Sequence, residues 1–449
     1  MTDSSPSSNF SRLFYWALTS ALAGFIFGFD TVVISGAEQR IQELWGLSAG
    51  VHGLAMSMAL WGTVLGALIG GWPTDRFGRK KTLLWIGVLY FVSAIGSAFA
   101  SEINTFIIAR FIGGVGIGIS TIAAPLYISE IAPAKKRGQL TGMFQFNIVF
   151  GILVAFLSNY LLGGIGENAW RWMLGVEAIP AIAYTLMCFG IPESPRWLIG
   201  VKRDRLGGLE ILRKIRPDDS DERLAEKADE IAQSSGTPRE KTAFWTQRLK
   251  TPIFLAFLIA FFNQLSGINA VLYFAPRIFS MTGLGEEAAL LQSVGIGVTN
   301  LVFTFLGLYL IDRLGRRTLL YIGSFGYIAA LGLCSWAFFT ENFAIVPICI
   351  FAFIGAHAVG QGAVIWVFIS EIFPNSNRAA GQALGCATHW VFAALLTLFF
   401  PKMVELFPAG FVFLFFCVMM VVQLIWVKMM VPETKGVSLE KIEERLGVR

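Results

Sequence analysis

Asp75-Arg76-Phe77-Gly78-Arg79-Lys80 is the stretch that decides the fold, because the chain repeats it as Asp312-Arg313-Leu314-Gly315-Arg316-Arg317. Two more signatures recur: Ser129-Glu130-Ile131-Ala132-Pro133 with Arg137 returns as Ser370-Glu371-Ile372-Phe373-Pro374 with Arg378, and Pro192-Glu193-Ser194 returns as Pro432-Glu433-Thr434. The spacings are 237, 241 and 240 residues, so one half of the chain duplicates the other in register. Each signature lies at the end of a long apolar segment, which indicates a duplicated bundle of membrane helices with charged corners.

The composition is that of a membrane protein. The chain has 449 residues, of which 55% are hydrophobic and 14% charged, and its mean hydropathy is +0.64. A soluble protein carries about 25% charged residues, so we expect most of the surface to face lipid. The net charge of +5 does not indicate a nucleic-acid partner, because the basic residues cluster at helix ends. The five cysteines lie in apolar segments without metal-ligand or disulfide spacing, and we interpret them as small core residues.

Twelve apolar segments of about 20 residues each are long enough to cross the hydrocarbon core of a bilayer. They predict an all-α membrane protein of twelve transmembrane helices in two six-helix pseudo-repeats. The predicted spans are 13–37, 51–73, 82–100, 104–126, 139–162, 172–192, 252–280, 287–311, 317–339, 345–370, 379–401 and 408–431. Residues 1–11 are polar and the first apolar run is long enough to span, so we expect no cleaved secretory signal.

The distribution of basic residues predicts the orientation. The loops after spans 2, 4 and 8 carry positive charges, among them Arg79, Lys135 and Arg316, whereas the intervening loops carry acidic residues such as Glu102 and Glu286. The positive-inside rule then places both termini in the cytoplasm. We therefore expect a multi-pass protein of the plasma (inner) membrane.

A long polar segment joins the two halves. Within it, Leu206–Ile215 and Ser220–Ala232 are typical of amphipathic surface helices, and Ser234–Pro238 predicts a turn. No glycine-rich phosphate loop is present in the sequence, which argues against ATP-driven transport. The predicted domains are a cytoplasmic N-terminal tail (1–12), an N-terminal six-helix bundle (13–192), a cytoplasmic helical linker (193–250), a C-terminal six-helix bundle (251–432) and a cytoplasmic C-terminal tail (433–449).

Three of the ionisable residues inside predicted spans stand out, because charges there are costly and usually functional. Asp30 lies in span 1, and Arg110 and Glu177 lie near the starts of spans 4 and 6. At 1.5 Å per residue, all three lie about 10 Å from the predicted outer face. If Arg110 exchanges between the two carboxylates, the released Asp30 can bind a proton, which predicts proton coupling. The alternative is a permanent Asp30–Arg110 pair that only holds helices together.

The repeated charged corners predict a cytoplasmic gate. Matched acids and bases can latch the helices of each half when the cytoplasmic side is closed, and inward opening would break those pairs. Positive-inside topology needs only the bases, so the repeated acids favour a gate over the alternative of solvated topology signals. The predicted gate residues are Asp75, Arg79, Glu130, Arg137, Glu193, Asp312, Arg316, Glu371, Arg378 and Glu433.

On these residues the chain resembles the sugar porter family of the major facilitator superfamily, from about Gly24 to about Gly436. It is similar to the bacterial sugar:proton symporters of that family and also to the mammalian fructose and glucose facilitators. The resemblance implies the major facilitator fold, in which cytoplasmic surface helices connect two six-helix halves and a monosaccharide is held between the halves. The motifs that carry the resemblance are Asp75–Lys80, Asp312–Arg317, Pro192–Leu198, Gln264–Asn269 and Pro432–Gly436.

The resemblance also implies a set of sugar-binding side chains. Amides donate to and accept from hydroxyls, and an indole face packs on the apolar side of a pyranose. A single amide in a span is typical of a helix–helix contact instead, so the interpretation depends on the whole set. The implied substrate-binding residues are Phe27, Gln145, Asn263, Gln264, Asn269, Asn300, His357, Gly362, Trp366, His389 and Trp390.

Several positions depart from the family pattern. Asn263 replaces the first glutamine of a Gln-Gln pair, and Phe274 replaces the second aromatic of a Tyr-Tyr pair. The stretch 360–363 lacks the usual prolines, which predicts a milder helix break there. His357 and His389 are placed similarly to histidines of the mammalian fructose facilitators and favour a ketohexose. An aldohexose such as glucose, a pentose and a polyol stay open.

Asp30 stands where the proton-coupled members of the family have aspartate and many facilitators have asparagine, and Arg110 and Glu177 also match the coupled members. We therefore predict a proton-coupled importer of a monosaccharide, with a hexose (fructose or glucose) favoured. It would act as a monomer in the lipid bilayer, with the proton as coupling ion and no cofactor or metal. The alternatives are a passive facilitator or sugar sensor with a purely structural Asp30–Arg110 pair, and a drug/proton antiporter. The sequence contains no metal motif and no identifiable Ser-His-Asp set that would support an enzyme.

Overall fold

The computed structural model describes residues 6–133, 136–236, 243–374 and 376–448, and no strand occurs within these ranges. Short 3-10 turns lie at Gln247–Leu249 and Phe343–Ile345. The helices are α1 (Pro6–Leu44), α2 (Ala49–Ile69), α3 (Gly71–Phe77), α4 (Arg79–Ala98), α5 (Ile103–Ile131), α6 (Arg137–Gly163), α7 (Ala169–Gly175), α8 (Ala178–Phe189), α9 (Pro195–Gly200), α10 (Arg205–Ile215), α11 (Asp221–Gly236), α12 (Lys250–Leu265), α13 (Ile268–Tyr273), α14 (Ala275–Ser280), α15 (Glu286–Leu314), α16 (Arg316–Phe339), α17 (Val346–Val359), α18 (Gln361–Ile372), α19 (Arg378–Leu406), α20 (Ala409–Met430) and α21 (Leu439–Arg445). The predicted all-α class is confirmed.

Within the described residues, twelve helical stretches are long and apolar enough to cross a membrane, which confirms the predicted number. The first continues to Leu44, beyond the predicted end at residue 37, and so places Glu38 inside a helix. The stretches are Ser11–Leu44, Ala49–Ile69, Arg79–Ala98, Ile103–Ile131, Arg137–Gly163, Ala169–Phe189, Gln247–Tyr273, Glu286–Leu314, Arg316–Phe339, Phe343–Ile372, Arg378–Leu406 and Ala409–Met430.

Four predicted spans are interrupted in the structure. The second is divided between α2 and α3 at Gly70. The sixth is divided between α7 and α8, and the tenth is divided between α17 and α18 at Gly360 alone. The seventh is divided into α12, α13 and α14. Gly267 separates α12 from α13 with a φ of 89°, a backbone conformation that glycine adopts without a side-chain clash. Hydropathy does not reveal these breaks, because a broken apolar helix is as apolar as a continuous one.

Backbone contacts group the chain into two compact units. The first unit contains Met1–Asp30, Gly62–Ile152 and Leu174–Glu240. The second unit contains Thr31–Trp61, Leu153–Met173 and Lys241–Arg449. Helices α1, α2, α6 and α7 therefore contribute residues to both units. The predicted division into sequence halves stays a prediction.

In the first unit, α4 packs against α5 and α8, and small residues allow other backbones to approach closely. A Cβ atom placed on Gly118 of α5 would lie 2.4 Å from the carbonyl oxygen of Thr63 on α2. Any larger residue at Gly118 would push the two helices apart. Small residues have this role in membrane bundles because the hydrophobic effect does not drive helices together in lipid. Helix association depends instead on close van der Waals packing.

The polar segment of the first unit forms surface helices α9, α10 and α11, which confirms both predicted amphipathic helices. Asp204 begins α10 by accepting a hydrogen bond from the Gly207 amide over 2.9 Å. Ile199, Leu212 and neighbouring apolar side chains form a small core between the three helices. The predicted turn at Ser234–Pro238 is wrong for its first three residues, which continue α11 to Gly236. Thr237 and Pro238 lie outside the described residues, as does Lys135 of an earlier loop.

In the second unit, α16 packs against α17 and α20, and α12 packs against α19. The junction between α17 and α18 also lies in close contact with the backbone of α16. A Cβ atom placed on Gly360 would lie 2.7 Å from the Cα atom of Gly323. This close approach explains why the junction carries a glycine and needs no proline.

Candidate functional site

A buried ion pair joins α1 to α5 in the first unit. Arg110 Nη1 donates to Asp30 Oδ1 over 2.5 Å, and Nη2 donates to Asp30 Oδ2 over 3.3 Å and to the Asp30 carbonyl over 3.2 Å. The side chains are 1% and 0% exposed, respectively. Gly113 leaves the space beside the pair, because its Cβ would lie 2.3 Å from Ser93 Oγ and 3.8 Å from Asp30 Oδ1. The structure thus brings two of the three predicted coupling residues into direct contact.

Glu177, the third predicted coupling residue, lies between α7 and α8 and is 1% exposed. Its Oε1 atom has no hydrogen-bond partner among the described residues, and both Asp30 and Arg110 act on it electrostatically. Tyr90 is fully buried, and both the Asp30 and the Glu177 carboxylates act on it electrostatically. Its hydroxyl donates to Ser120 Oγ over 3.2 Å. Asp30 binds the Arg110 guanidinium directly and Glu177 lies within its electrostatic influence, so two carboxylates accompany one guanidinium. A proton is the ligand that suits such an arrangement.

In the second unit, neutral side chains converge on Gln264 near the end of α12. Gln264 Nε2 donates to Asn263 Oδ1 over 2.8 Å, and Asn269 Nδ2 donates to Gln264 Oε1 over 2.6 Å. Gln264 Nε2 also lies 3.2 Å from His389 Nδ1 on α19. All three amide residues are buried. The cluster therefore offers donors and acceptors without the fixed charge of a carboxylate or guanidinium.

The helix break at Gly267 positions this cluster. Gln264 precedes the break and Asn269 follows it, and in a continuous helix of 3.6 residues per turn such residues would point to different sides. Ser266 Oγ donates to the Asn263 carbonyl over 2.7 Å at the end of α12. Phe416 covers the break, since a Cβ on Gly267 would lie 2.7 Å from its ring.

Two tryptophans flank His389. The ring centroids of Trp366 and His389 lie 5.3 Å apart, and those of His389 and Trp390 lie 4.7 Å apart. Gln382 Nε2 donates to the Trp366 carbonyl over 2.9 Å and so ties α19 to α18. The predicted substrate residues that the structure brings together in this way are Asn263, Gln264, Asn269, Trp366, His389 and Trp390. We refer to these six residues as the amide cluster.

His357, the other predicted histidine, has its own partner. Tyr327 of α16 is fully buried, and its hydroxyl lies 2.6 Å from His357 Nδ1. Gly362 lies beside the same histidine, because its Cβ would be 3.1 Å from the His357 carbonyl oxygen. His389 acts on His357 electrostatically. The Tyr327 contact supplies the helix–helix role that an isolated histidine usually has.

The remaining predicted substrate residues lie on other helices. In the first unit, Gln145 is half-buried on α6 and Phe27 is buried on α1. In the second unit, Asn300 is half-buried on α15, where Thr304 Oγ1 donates to its Oδ1 over 3.5 Å. Their roles stay predictions.

The first charged corner is a bidentate ion pair closed by backbone amides. Arg79 Nε and Nη2 each donate to Glu130 over 2.9 Å, and Nη1 lies 3.2 Å from Asp75 Oδ1. Glu193 accepts from the amides of Arg79 over 2.9 Å and of Ser194 over 2.8 Å. Burial raises the pKa of the Glu193 carboxyl, although these amide donors and Arg79 oppose the shift.

The second charged corner repeats this arrangement. Arg316 Nε and Nη2 donate to Glu371 over 3.1 and 2.8 Å, and Nη1 donates to Asp312 over 3.0 Å. Glu433 accepts from the Arg316 amide over 3.0 Å. Thr434 Oγ1 adds a hydrogen bond to Glu371 over 2.7 Å. The sequence repeat is therefore also a repeat of side-chain geometry.

Two predicted gate residues do not join these corners. Arg137 and Arg378 begin α6 and α19, respectively. Within the described ranges, no recorded hydrogen bond or ion pair connects either of them to a corner carboxylate. Arg137 instead lines a small cavity together with Glu130 and Arg196.

The sequence analysis does not single out a further charged group in the second unit. Glu38 of α1 forms an ion pair with Arg277 of α14 and contacts His52 of α2. The sequence analysis missed Glu38 because the predicted end of span 1 at residue 37 assigns it to a loop. The available signal is a histidine inside an apolar span and an acid two turns after Asp30.

Known proteins are similar to this chain in both sequence and fold. The Sugar (and other) transporter family matches residues 16–446. The D-xylose-proton symporter of Escherichia coli is 34% identical over 476 residues, which cover 97% of this chain and 96% of that protein. The glucose transporter GlcP of Staphylococcus epidermidis is 34% identical over 442 residues, which cover 96% of this chain and 98% of that protein.

A solved structure agrees with these sequence relationships. The inward-open conformation of the xylose transporter XylE from E. coli matches with a TM-score of 0.85 and 31% identity, and the match covers 96% of this chain and 99% of that one. The family consists of transporters, so the prediction that the chain is not an enzyme is confirmed. With the family match, the full-length relatives and the shared fold in agreement, this chain belongs to the sugar transporter family of the major facilitator superfamily.

Proposed function

We propose that this protein imports a monosaccharide across the plasma (inner) membrane by proton symport and alternating access. The observation that carries the proposal is the buried Asp30–Arg110 pair with a second buried carboxylate, Glu177, under its influence. A purely structural pair needs one acid for one base, whereas this group holds two acids. The extra carboxylate gives Arg110 another partner when Asp30 takes up a proton.

The magnitudes favour an exchange of partners over simple rupture of the pair. Removing one partner of a buried ion pair costs about 3–5 kcal/mol. A proton that crosses about 100 mV gains only about 2.3 kcal/mol. Neutralising Asp30 is therefore feasible when Glu177 takes over the guanidinium of Arg110, and it is too costly when Arg110 is left alone.

The amide cluster is the proposed sugar-binding site of the second unit. Gln264 and its neighbours can donate to and accept from hydroxyls on adjacent carbons, and the two tryptophans can pack on the apolar face of a sugar ring. The absence of a carboxylate or guanidinium from these six residues favours a neutral ligand over an ion. The other proposed contributors are Phe27, Gln145, Asn300, His357 and Gly362.

The class of sugar is part of the proposal. The relatives described above carry names that specify D-xylose and glucose, which support a pentose and a hexose equally. His389 adds ring nitrogens to the amide cluster beside Gln264. We favour a hexose, fructose or glucose, because of this imidazole and of His357, with a pentose or polyol as the alternative.

The two charged corners are the proposed cytoplasmic gate. Bidentate arginine–carboxylate pairs are strong and directional, so Arg79–Glu130 and Arg316–Glu371 can hold helix ends together and release them on inward opening. The positive-inside rule supports a cytoplasmic location for both termini, on the same side of the membrane as the two charged corners. We propose that the protein acts as a monomer. The further gate residues are Asp75, Arg137, Glu193, Asp312, Arg378 and Glu433.

A passive sugar facilitator is the second candidate. Arg110 contacts Asp30 through three hydrogen bonds, one of them to the backbone carbonyl. Such a contact is also what a structural link between α1 and α5 would need. In that case the pair would stay formed throughout transport, and a proton gradient would drive no accumulation.

Uptake by proteoliposomes distinguishes the candidates. Labelled D-xylose, D-glucose, D-fructose and myo-inositol are supplied with and without an inward proton gradient. We expect at least one to accumulate above equilibrium and to leave again when a protonophore is added. Equilibration without accumulation would establish the facilitator. Failure of all four compounds to enter would contradict the assignment of the amide cluster to a sugar.

A further inference from the structure

A second buried charged cluster, which the proposed coupling mechanism does not use, lies in the second unit. Glu38 Oε1 accepts from Arg277 Nε over 2.8 Å, and Glu38 Oε2 accepts from Arg277 Nη2 over 2.6 Å. His52 Nε2 lies 2.7 Å from the same Oε2 atom. Gln42 Oε1 accepts a further hydrogen bond from Arg277 Nη2 over 2.6 Å. The side chains of Glu38 and His52 are 0% exposed, and that of Arg277 is 20% exposed.

The hydrogen bonds indicate which form of His52 this conformation holds. His52 Nδ1 is buried and has no hydrogen-bond partner in the described part of the chain. A neutral ring that donates from Nε2 to Glu38 leaves only an acceptor lone pair at Nδ1. A protonated ring would leave a buried N–H donor without an acceptor and would add a second positive charge beside Arg277. The neutral form is therefore the one that fits.

The surroundings of His52 offer little to compensate a charge. From α1 it faces Glu38, and from α14 it faces Arg277, the titratable and charged groups recorded around it in the described residues. The Phe274 ring approaches edge-on with centroids 6.3 Å apart. On the next residue of α2, a Cβ on Gly53 would lie 2.0 Å from the Leu398 carbonyl of α19. Because Nδ1 is itself buried, it is out of contact with solvent while these helices stay together.

We propose that His52, with Glu38, is a second proton-binding site of this protein, occupied when the Glu38–Arg277 contact opens. Glu38 comes from the first sequence half and Arg277 from the second, so their contact ties the two halves together. His52 lies in the first turns of α2, whose other end leads to the corner that contains Arg79. The proposed orientation therefore places this site at the outer face, where it samples the external pH.

The sign of the pH effect follows from the two forms of the site. In the closed form His52 binds no additional proton. Opening admits water to Nδ1, so the ring can carry a proton, and Glu38 then keeps a positive partner while Arg277 is solvated. The form that binds more protons is favoured as pH falls, and one linked proton changes the open-to-closed ratio by at most about tenfold per pH unit. External acid therefore opens the contact between α1 and α14.

A distance measurement on the full chain in nanodiscs tests this site without sugar or a proton gradient. Spin labels are attached to cysteines at Glu43 and Glu287, both exposed, in a chain whose five native cysteines are replaced by alanine. Glu43 follows Glu38 on α1, and Glu287 lies on α15, which packs against α14. Label-to-label distances are recorded by pulsed electron paramagnetic resonance at about pH 7.5 and about pH 5.5, which bracket the ordinary histidine range.

The critical variant is His52→Gln, whose amide can keep the hydrogen bond to Glu38 but cannot titrate in this range. We expect the long-distance population to rise on acidification in the parent and to rise much less in His52→Gln. Glu38→Gln, which weakens the contact with Arg277 at every pH, should give the long distance at both pH values. The proposal is overturned if His52→Gln follows the parent, or if the parent shows no change.

This inference rests on the proposed orientation but not on the proposed substrate. Because the distance measurement contains no sugar, its outcome is independent of the uptake experiment. A His52-dependent distance change without proton-driven uptake would refute the proposed symport and keep the proton site. Proton-driven uptake without a His52-dependent distance change would support the proposed symport and refute the proton site at His52.

Discussion

The three residues proposed for proton coupling in the first unit are charged, whereas the amide cluster of the second unit is neutral, although both groups are buried inside helical bundles. Asp30, Arg110 and Glu177 place two acids beside one base. Asn263, Gln264 and Asn269 place three amides in a row, each able to donate and accept. The first arrangement suits a ligand that changes the local charge, and the second suits a ligand that carries hydroxyl groups.

The difference teaches how two buried groups of one chain can suit ligands of different chemistry. A buried charge is expensive unless it is paired, so a proton that alters the pairing has a large effect on conformation. A buried amide is satisfied by any partner with suitable geometry, so a sugar can replace its neighbours without a large cost. We expect substitutions that blur this difference to reveal which cluster serves which ligand.

The largest effect is expected from Asp30→Asn, which gives the charged group an amide like those of the second unit. An amide does not titrate, so proton-driven accumulation should fall to the equilibrium level. Exchange of internal for external sugar at equal pH should continue, because Glu177 can still neutralise Arg110. Accumulation and exchange are measured in the same proteoliposomes.

The matched control is Asp229→Asn on α11, whose carboxylate is 56% exposed and pairs with Arg205 at the surface. Such pairs contribute little, so both activities should persist in this variant. Undiminished accumulation in Asp30→Asn would show that the charged group is structural.

The second-largest effect is expected from Gln264→Leu, which makes the neutral cluster apolar at its centre. Asn263 and Asn269 would lose their hydrogen-bond partner, and so would a bound sugar. An unsatisfied buried polar group costs about 1–3 kcal/mol, which corresponds to roughly 5- to 150-fold weaker sugar binding. Calorimetric titration of the purified protein with sugar gives the dissociation constant.

Gln423→Leu is the control for that substitution. Gln423 is another fully buried amide of the second unit, and it accepts from Gln361 over 2.9 Å and donates to Ser324 over 2.8 Å. Its replacement should lower the unfolding temperature and leave the dissociation constant unchanged. Equal loss of affinity in both variants would mean that general destabilisation explains the result.

A smaller effect is expected from Glu177→Gln, which reduces the charged group to one acid for one base. Arg110 then lacks a second charged partner, so the exchange of partners should slow. A rise of about 1.4 kcal/mol in the barrier lowers the maximal rate of proton-driven uptake about tenfold. The dissociation constant for sugar should stay that of the parent.

Glu222→Gln, on the exposed face of α11, controls for the loss of one negative charge. Its uptake rate should equal that of the parent. A weaker dissociation constant in Glu177→Gln, with an unchanged rate, would place Glu177 with the sugar instead of the proton.

The smallest effect is expected far from both clusters, from Asp204→Ala at the start of α10. The hydrogen bond from the Gly207 amide lowers the pKa of Asp204, so its stabilising effect is present above the unfolded pKa of about 3.9. That effect is lost as pH falls through the lower folded value. Thermal unfolding should show a small, constant difference from the parent between about pH 5 and pH 8, and the difference should narrow below about pH 4. A difference that changes near neutral pH would mean that another group titrates.

Several features of the molecule could be predicted from sequence because they depend on local properties. Segment length and hydropathy predict twelve spans, and the spacing of the repeats predicts that Arg79 and Arg316 occupy equivalent corners. The pairing of Asp30 with Arg110 could also be predicted, since two opposite charges in apolar spans have few other ways to avoid isolation. Each of these inferences requires only helix geometry and the cost of burying a charge.

Other features could be found only in three dimensions. Whether Gln264 meets Asn269 depends on the positive φ of Gly267, and whether Glu38 meets His52 depends on how far α1 continues and how it is rotated against α2. Hydropathy is insensitive to helix rotation and to a break within an apolar run. The sequence by itself thus determined the helices, the repeat and the charged residues that need partners. The tertiary structure alone decided which partners they have, because contacts between distant residues depend on the angles at which helices break and pack.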